Sequence, residues 1–469
     1  MYINKSADDN IHLQCLLKST SIKGFQSSRT NAISFMKIRD EVNKKYYDVV
    51  RVRILGIGIG ENSNFKIPLF ILFRALGITT DRDILNMIIY ENDSDILKTN
   101  LIDILYNTIK DSEPIYTQTD AYKFLALQTK GKNNINVLDT LNNNFLPNYD
   151  NNNIAKAYYL GYTVRMLLLT QLNIITTTDR DNYSYKRIDT AGTLLLELYR
   201  ELWGKFKKQT SFKIDIEYKT NIKDTVNSIF NIVNDDNLSS IFDNNVLNNI
   251  NKSFGAVFGT GISAKQGIVQ DLNRLSMLGS LSHVRRLVTP LPVGSKVMGP
   301  RKLHNSQWGF ICPTESPDGG NTGLYNHLSI ISTISFNIDS NGIYDCLLEH
   351  GMILLDEIII DDVYIYTKIF LNGKWTGLHR DPQYLLRLMK CLKYNSIINI
   401  YTSITWNTKK NEFYIFTDAG RLIRPIIRLK YDKNGNRYSD LINGDLSLLR
   451  DWKTLVHGYM YTLNKDISI

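Results

Sequence analysis

Between Gly255 and Phe310 the chain carries Lys265, Arg274, Arg285, Arg286, Lys296, Arg301 and Lys302 against a single acid, Asp271. Lysines and arginines lined up along a nucleic-acid backbone neutralise phosphates and release counterions, which gives salt-sensitive affinity without reading sequence. Charge alone would equally fit a solvated face. The neighbouring residues tilt the balance, because Gln270, Asn273, Ser276, Ser282, His283, His304 and Asn305 add short donors and acceptors suited to phosphate, ribose or base edges. Five of the ten prolines lie between Pro290 and Pro317, so this polar, basic stretch reads as a loop held by Pro and Gly.

The rest of the chain must position that loop. With 469 residues, 43% hydrophobic and 22% charged, it is long enough for roughly three folding units and has a globular composition. A net charge of +9 fits a polyanionic partner. Cys15, Cys312, Cys346 and Cys391 form no CxxC pair, so neither a zinc ribbon nor a disulfide framework is readable and a reducing compartment is expected. Cys312, between Ile311 and Pro313, reads as buried and unreactive. The N-terminus has no apolar signal-peptide core, and the most apolar helical stretch, residues 154–175, is broken by Lys156 and Arg165, so no membrane span is expected.

Residues 1–44 are polar and weakly patterned, and an alternating β-branched strand follows from Tyr46 to the glycines Gly56, Gly58 and Gly60. Glu61 stands where a dinucleotide loop needs its third glycine, so a turn is expected there. Pro68 and Gly77 bracket a buried helix, and Thr80 with Asp83 caps the next one. Further helices are expected over residues 97–110, 119–128, 154–175 and 189–206. Past residue 330 the pattern turns to strands, with Asn372 and Gly373 between two alternating runs as a hairpin signal and a helix around residues 381–393. His379, beside Arg380, reads as structural.

The string GIVQDLNRLSMLGSLSHVRRLVTPLPVGSKVMGPRKLHNSQWGFICPTESPDGGNTGLYNHLSIISTIS resembles the fork of the second-largest (β-type) subunit of multi-subunit DNA-directed RNA polymerases, of the eukaryotic and large-DNA-virus type. FKIPLFILFRALGI and TTTDRDNYSYKRIDTAGTLLLELYRELW resemble that family's lobe, and FLNGKWTGLHRDP with FTDAGRLIRP its external domain. The resemblance runs from about residue 30 to about residue 430. It implies an α+β multidomain fold: partial protrusion at 1–59, mainly helical lobe at 60–206, a return segment of the protrusion at 207–253, fork at 254–335 and a mostly β external domain at 336–469.

Carried onto this chain, the resemblance puts Gln270, Asn273, Arg274, Ser276, His283, Arg285 and Arg286 beside the RNA–DNA hybrid. Lys296, Arg301, Lys302 and His304 fall at or just beyond the second fork loop, Val293 to Arg301, where downstream duplex opens. Glu315 takes the place of the acidic residue near the active centre. The family's ETPEG reads ESPDG here, with Ser316 and Asp318 as conservative replacements, and the first fork loop at 258–266 is shortened. The first half of the protrusion before residue 30, and the hybrid-binding, wall, anchor and clamp parts after about residue 460, are expected to be missing, and with them the family's zinc site.

Polymerase chemistry needs grouped carboxylates to hold two Mg²⁺. The Asp-Arg-Asp runs at 81–83 and 179–181 make no D-x-D-x-D cluster, and Asp179 to Asp181 reads as a capping or salt-bridged element. Catalytic residues and metal ligands are therefore expected in none of these positions, with Mg²⁺ held by the largest subunit. Expected partners are that subunit, the remaining portions of the second-largest subunit, other polymerase subunits, DNA template and RNA–DNA hybrid, without a membrane. The expected compartment is the virion or host cytoplasm for a viral chain and the nucleus for a cellular one. The alternative is a truncated or repurposed fork-lobe protein that binds nucleic acid or polymerase without supporting catalysis.

Overall fold

The computed structural model describes residues 1–6, 8–21, 28–39, 45–58, 65–129, 132–221, 270–289, 291, 295–426, 430–431 and 437–438. The first fork loop at 258–266, Lys265, Gly60 and Val293 lie outside the described residues. The chain divides into two units. Unit 1 holds residues 1–180, 336–418 and 427–469, and unit 2 holds 181–335 and 419–426.

Unit 1 begins with an antiparallel sheet, β1 (Tyr2–Lys5), β2 (Ile11–Ser19), β3 (Arg29–Arg39), β4 (Tyr46–Arg53) and β5 (Ile67–Pro68), paired in chain order. Three of these strands lie where the sequence reads as weakly patterned. In β2 the residues Ile11, Leu13, Cys15 and Leu17 alternate inward, and β3 buries Asn31 and Ser34 among its apolar residues, which dilutes the pattern visible in sequence.

Helices follow: α1 (Leu69–Ala75), α2 (Asp81–Ile88), α3 (Asp95–Lys110), α4 (Gln118–Leu127), α5 (Asn134–Asn143) and α6 (Asn153–Gln171). Thr80 caps α2 by accepting from the Asp83 amide at 3.2 Å. Helix α6 is buried on nearly every side, as its near-continuous apolar sequence requires. Its Lys156 donates to the Leu141 carbonyl at 2.9 Å, and its Arg165 is bidentate to Asp93 at 2.6 and 2.7 Å.

In unit 2, α7 (Ala191–Asn221) runs further than expected, and α8 (Met277–Val284) leads into β6 (Arg286–Val288), β7 (Tyr325–His327) and β8 (Thr333–Ile334). The chain then returns to unit 1 with α9 (Asn341–Glu349), β9 (Ile353–Leu354), β10 (Thr367–Leu371), β11 (Lys374–His379), α10 (Pro382–Tyr394), β12 (Ser403–Asn407) and β13 (Glu412–Phe416). Their sheet has the order β12-β13-β10-β11-β9, with β10 and β13 parallel.

Asn372 (φ 51) and Gly373 (φ 80) turn β10 into β11, both left-handed as a tight two-residue hairpin demands. His379 is structural: its Nδ1 accepts from the Asp381 amide at 3.0 Å, and its Nε2 lies 3.1 Å from the His350 carbonyl. A later strand, β14 (Leu422–Ile423), pairs with β8 inside unit 2.

The helices and the second sheet of unit 1 meet around a buried polar knot. Tyr162 and Tyr414 donate to the two carboxylate oxygens of Glu412 at 2.7 and 2.6 Å, and Glu412 is 2% exposed. Lys368 lies 4.9 Å from the centre of the Tyr90 ring, which Arg165 also covers at 4.0 Å. Burial pushes the Lys368 ammonium down to about 8, with the Glu412 charge partly restoring it.

Candidate nucleic-acid interface

The polar residues expected to meet nucleic acid are gathered at the start of α8. Ser276 caps the helix by accepting from the Gly279 amide at 2.9 Å. His283, in the last turn of the helix, accepts from the Asn273 amide at Nδ1 (3.1 Å), which leaves Nε2–H for the Gln270 carbonyl oxygen at 2.9 Å. Gln270, Asn273, Arg274 and Ser276 are all exposed. The helix itself is apolar yet buries none of its residues: Met277 is 80% exposed and Leu278 78%.

The two adjacent arginines divide in role. Arg285 turns inward, where its Nη2 donates to the carbonyls of Ser329 at 2.6 Å, Ser332 at 3.0 Å and Ile330 at 3.3 Å. It is a clamp on the loop after β7, although the sequence marks it only as a phosphate contact. Arg286, on β6, stands opposite His327 in the β6–β7 register and donates from Nε to His327 Nε2 at 3.2 Å.

Arg301 is also a clamp, donating to the carbonyls of Gly320 at 2.7 Å, Thr322 at 3.0 Å and Ser295 at 3.2 Å. This binds the 295–301 loop to the one that follows Glu315. Gly323 permits the approach, since a Cβ there would stand 2.3 Å from the Arg301 carbonyl oxygen. His304 caps the short turn after it through the Ser306 amide at 3.1 Å. Arg274, Lys296 and Lys302 are exposed side chains.

Arg286 opens onto a cleft of about 700 Å³ that Gln270, Glu315, Ser316, Tyr325 and His327 also line. Glu315 accepts from Ser282 Oγ at 2.6 Å, and its carboxylate lies 3.6 Å from His327 Nε2. Ser316 accepts from the Gly323 amide at 2.9 Å, so the hydroxyl retained in ESPDG shapes the loop. Cys312 corrects an expectation. It is half-buried at the point where the chain leaves the Ile311–Leu328 bridge, and the Thr314 hydroxyl with the amides of Thr314 and Glu315 holds its thiol below the ordinary range. His327, Tyr325 and Asn321 carry no sequence signal, because strand pairing across 41 residues is what brings His327 to Arg286.

Among the described residues, no three His, Cys, Asp or Glu side chains are grouped to hold a metal ion. The Asp-Arg-Asp runs are used structurally: Asp81 pairs with Arg74 at 2.5 Å, the Asp83 amide completes the Thr80 cap, and Asp181 faces Lys186 at 3.9 Å. No helix among the described residues is long and apolar enough to cross a membrane.

Three protein-family models match the chain in sequence order and together cover more than half of it: RNA polymerase Rpb2 domain 2 over residues 60–189, domain 3 over 270–334 and domain 4 over 369–430. The chain is 30% identical over 396 residues to DNA-directed RNA polymerase II subunit RPB2 of Encephalitozoon cuniculi, covering 78% of this chain and 32% of that one. It is 34% identical to DNA-directed RNA polymerase II subunit 2 of Arabidopsis thaliana, covering 77% and 30% of the two chains. To DNA-directed RNA polymerase subunit 2 of Acanthamoeba polyphaga mimivirus it is 29% identical, covering 78% and 32%.

These matches define a multi-domain polymerase-subunit chain. It belongs to the family of second-largest subunits of multi-subunit DNA-directed RNA polymerases. The chain spans about a third of the length of the curated relatives it matches.

Proposed function

We propose that this chain is a part of the second-largest subunit of a DNA-dependent RNA polymerase that binds the RNA–DNA hybrid and downstream DNA near the active centre during transcription. On this reading residues 60–206 are the lobe, 254–335 the fork and 336–469 the external domain, with protrusion at 1–59 and 207–253. The observation that carries it is the exposure of Arg274, Lys296 and Lys302 on the segment matched by domain 3, beside a cleft that Arg286 enters. Flexible exposed cations suit phosphates, while Arg285 and Arg301 keep their loops in shape by bonding carbonyls.

On this reading nucleotidyl transfer belongs to the largest subunit, which holds Mg²⁺, and this chain is not catalytic alone. Its partners are that subunit, the remaining portions of the second-largest subunit and other polymerase subunits. The test is affinity purification from the native source, with mass spectrometry and a magnesium-dependent RNA-extension assay. Co-purification of a largest subunit, with extension weakened by R286A, supports the reading. Recovery of the chain alone without extension overturns it in favour of a repurposed nucleic-acid-binding protein. Binding of an RNA–DNA hybrid by the R274A/K296A/K302A variant is expected to lose about one unit of salt slope for each phosphate contact removed.

A further inference from the structure

We propose that His327 is a proton-operated positioning residue that tethers Arg286 through its Nε at the wall of the cleft when neutral and frees that donor for a ligand when protonated. The imidazole is nearly closed off, 6% exposed, and its two nitrogens meet different partners. Nε2 lies 3.2 Å from Arg286 Nε, and Nδ1 lies 3.2 Å from the Glu315 main-chain oxygen. An arginine has only donors, so Nε2 must offer a lone pair to it; the ring hydrogen then sits on Nδ1, where the Glu315 oxygen accepts it. Both contacts are satisfied only by the neutral Nδ1–H form.

The same Nε2 lies 3.6 Å from the Glu315 carboxylate. A proton taken from solvent onto Nε2 removes the acceptor that Arg286 uses and sets two cations side by side, while giving Glu315 a charged donor. His327 thus has two exclusive partners at one atom: Arg286 when neutral, Glu315 when protonated. The charged groups facing the ring are Arg286 from β6 and Glu315 from the preceding loop, where Ser282 of α8 already holds one carboxylate oxygen. The Cys312 amide fixes the strand from behind through the His327 carbonyl at 2.9 Å, and the Cys312 thiol bonds the Glu315 amide. On protonation the guanidinium at the cleft wall loses its tether while the charge of the Glu315 carboxylate beside it is offset, which favours an anionic ligand such as a phosphate backbone.

The inference deepens the proposed nucleic-acid contact and rests on it for one of two readouts. The independent readout is ¹⁵N-histidine NMR of the full chain, with the His327 signal assigned by its loss in H327N. An Nδ1–H ring at about pH 7.5, with a midpoint that rises in R286A and falls in E315Q, is the expected result. An Nε2–H ring, or a midpoint that neither variant moves, overturns the proposal.

The second readout is affinity for a labelled RNA–DNA hybrid at about pH 5.5 and 7.5. The gain on acidification is expected to be about five- to tenfold larger in the wild-type chain than in H327N, whose amide can accept from Arg286 and donate to Glu315 but takes up no proton. An equal gain in both chains means a merely structural His327 and sinks the switch. If no hybrid binds at any pH, the proposed function fails, and the NMR titration still decides on the switch.

Discussion

The two units are stabilised in opposite ways. Unit 1 closes an apolar interior in which Phe70, Phe73, Phe145, Tyr149, Trp375 and Phe413 are fully buried, and Arg165 reaches into it paired with Asp93. In unit 2, between residues 270 and 332, Ile311 and Leu324 are the only buried apolar residues among those described, and α8 leaves its leucines outside. What holds that segment is arginine bonded to backbone carbonyl. Apolar burial is non-directional and tolerates repacking, whereas charged hydrogen bonds fix loop geometry at modest net stability. A face that must present cations and hydroxyls at set positions benefits from the second mode, at the expense of independent stability.

Four substitutions would break or sharpen that contrast. The largest effect belongs to unit 1: W375A removes a ring packed against Tyr158, Tyr162 and Phe370 and is expected to cost about 3–5 kcal/mol in urea denaturation followed by circular dichroism. Exchange protection of the Leu328 and Ser329 amides in unit 2 should stay as it was; its loss would mean that the units are one cooperative block. R285A tests the reverse. Losing three carbonyl bonds should cost about 1–3 kcal/mol locally, seen as faster deuterium uptake over residues 328–332 with α6 unchanged.

Unit 1 should also show its buried lysines in its pH dependence. Burial depresses Lys156 to about 8, with Asp150 opposing, and Lys368 behaves alike. Between about pH 8 and the ordinary lysine range the unfolded chain then binds more protons than the folded one, so stability rises with pH across that window. K156M should remove about 1–2 kcal/mol of that rise. An unaltered slope would mean that Lys156 reaches water. The smallest effect is T80A, expected to cost about 1 kcal/mol by uncapping α2, measured as a shift in the same urea midpoint.

Legibility in the sequence followed the same divide. Helix α2 and the β10–β11 hairpin could be read because each depends on local chemistry, a Thr80 cap in one and an Asn372–Gly373 turn in the other. Helix α5 escaped notice because its Asn-rich sequence has little helix propensity and owes its place to Val137 and Leu141 in the core. Strands β1 to β3 escaped for a related reason, since a sheet that buries Asn31 and Ser34 breaks its own alternation. Cys312 was misread because flanking Ile and Pro say nothing of the open loop it enters.

By itself, the sequence determined the family, the basic and polar composition of residues 270–304, and those helices and turns whose signals lie within a few residues of each other. Only the tertiary structure decided which cations are spent on carbonyls and which face solvent, and that His327 stands between Arg286 and Glu315. The physical reason is range. Caps and hairpin turns are settled by neighbouring residues, whereas the partner of a guanidinium depends on strand register and loop closure between segments tens of residues apart.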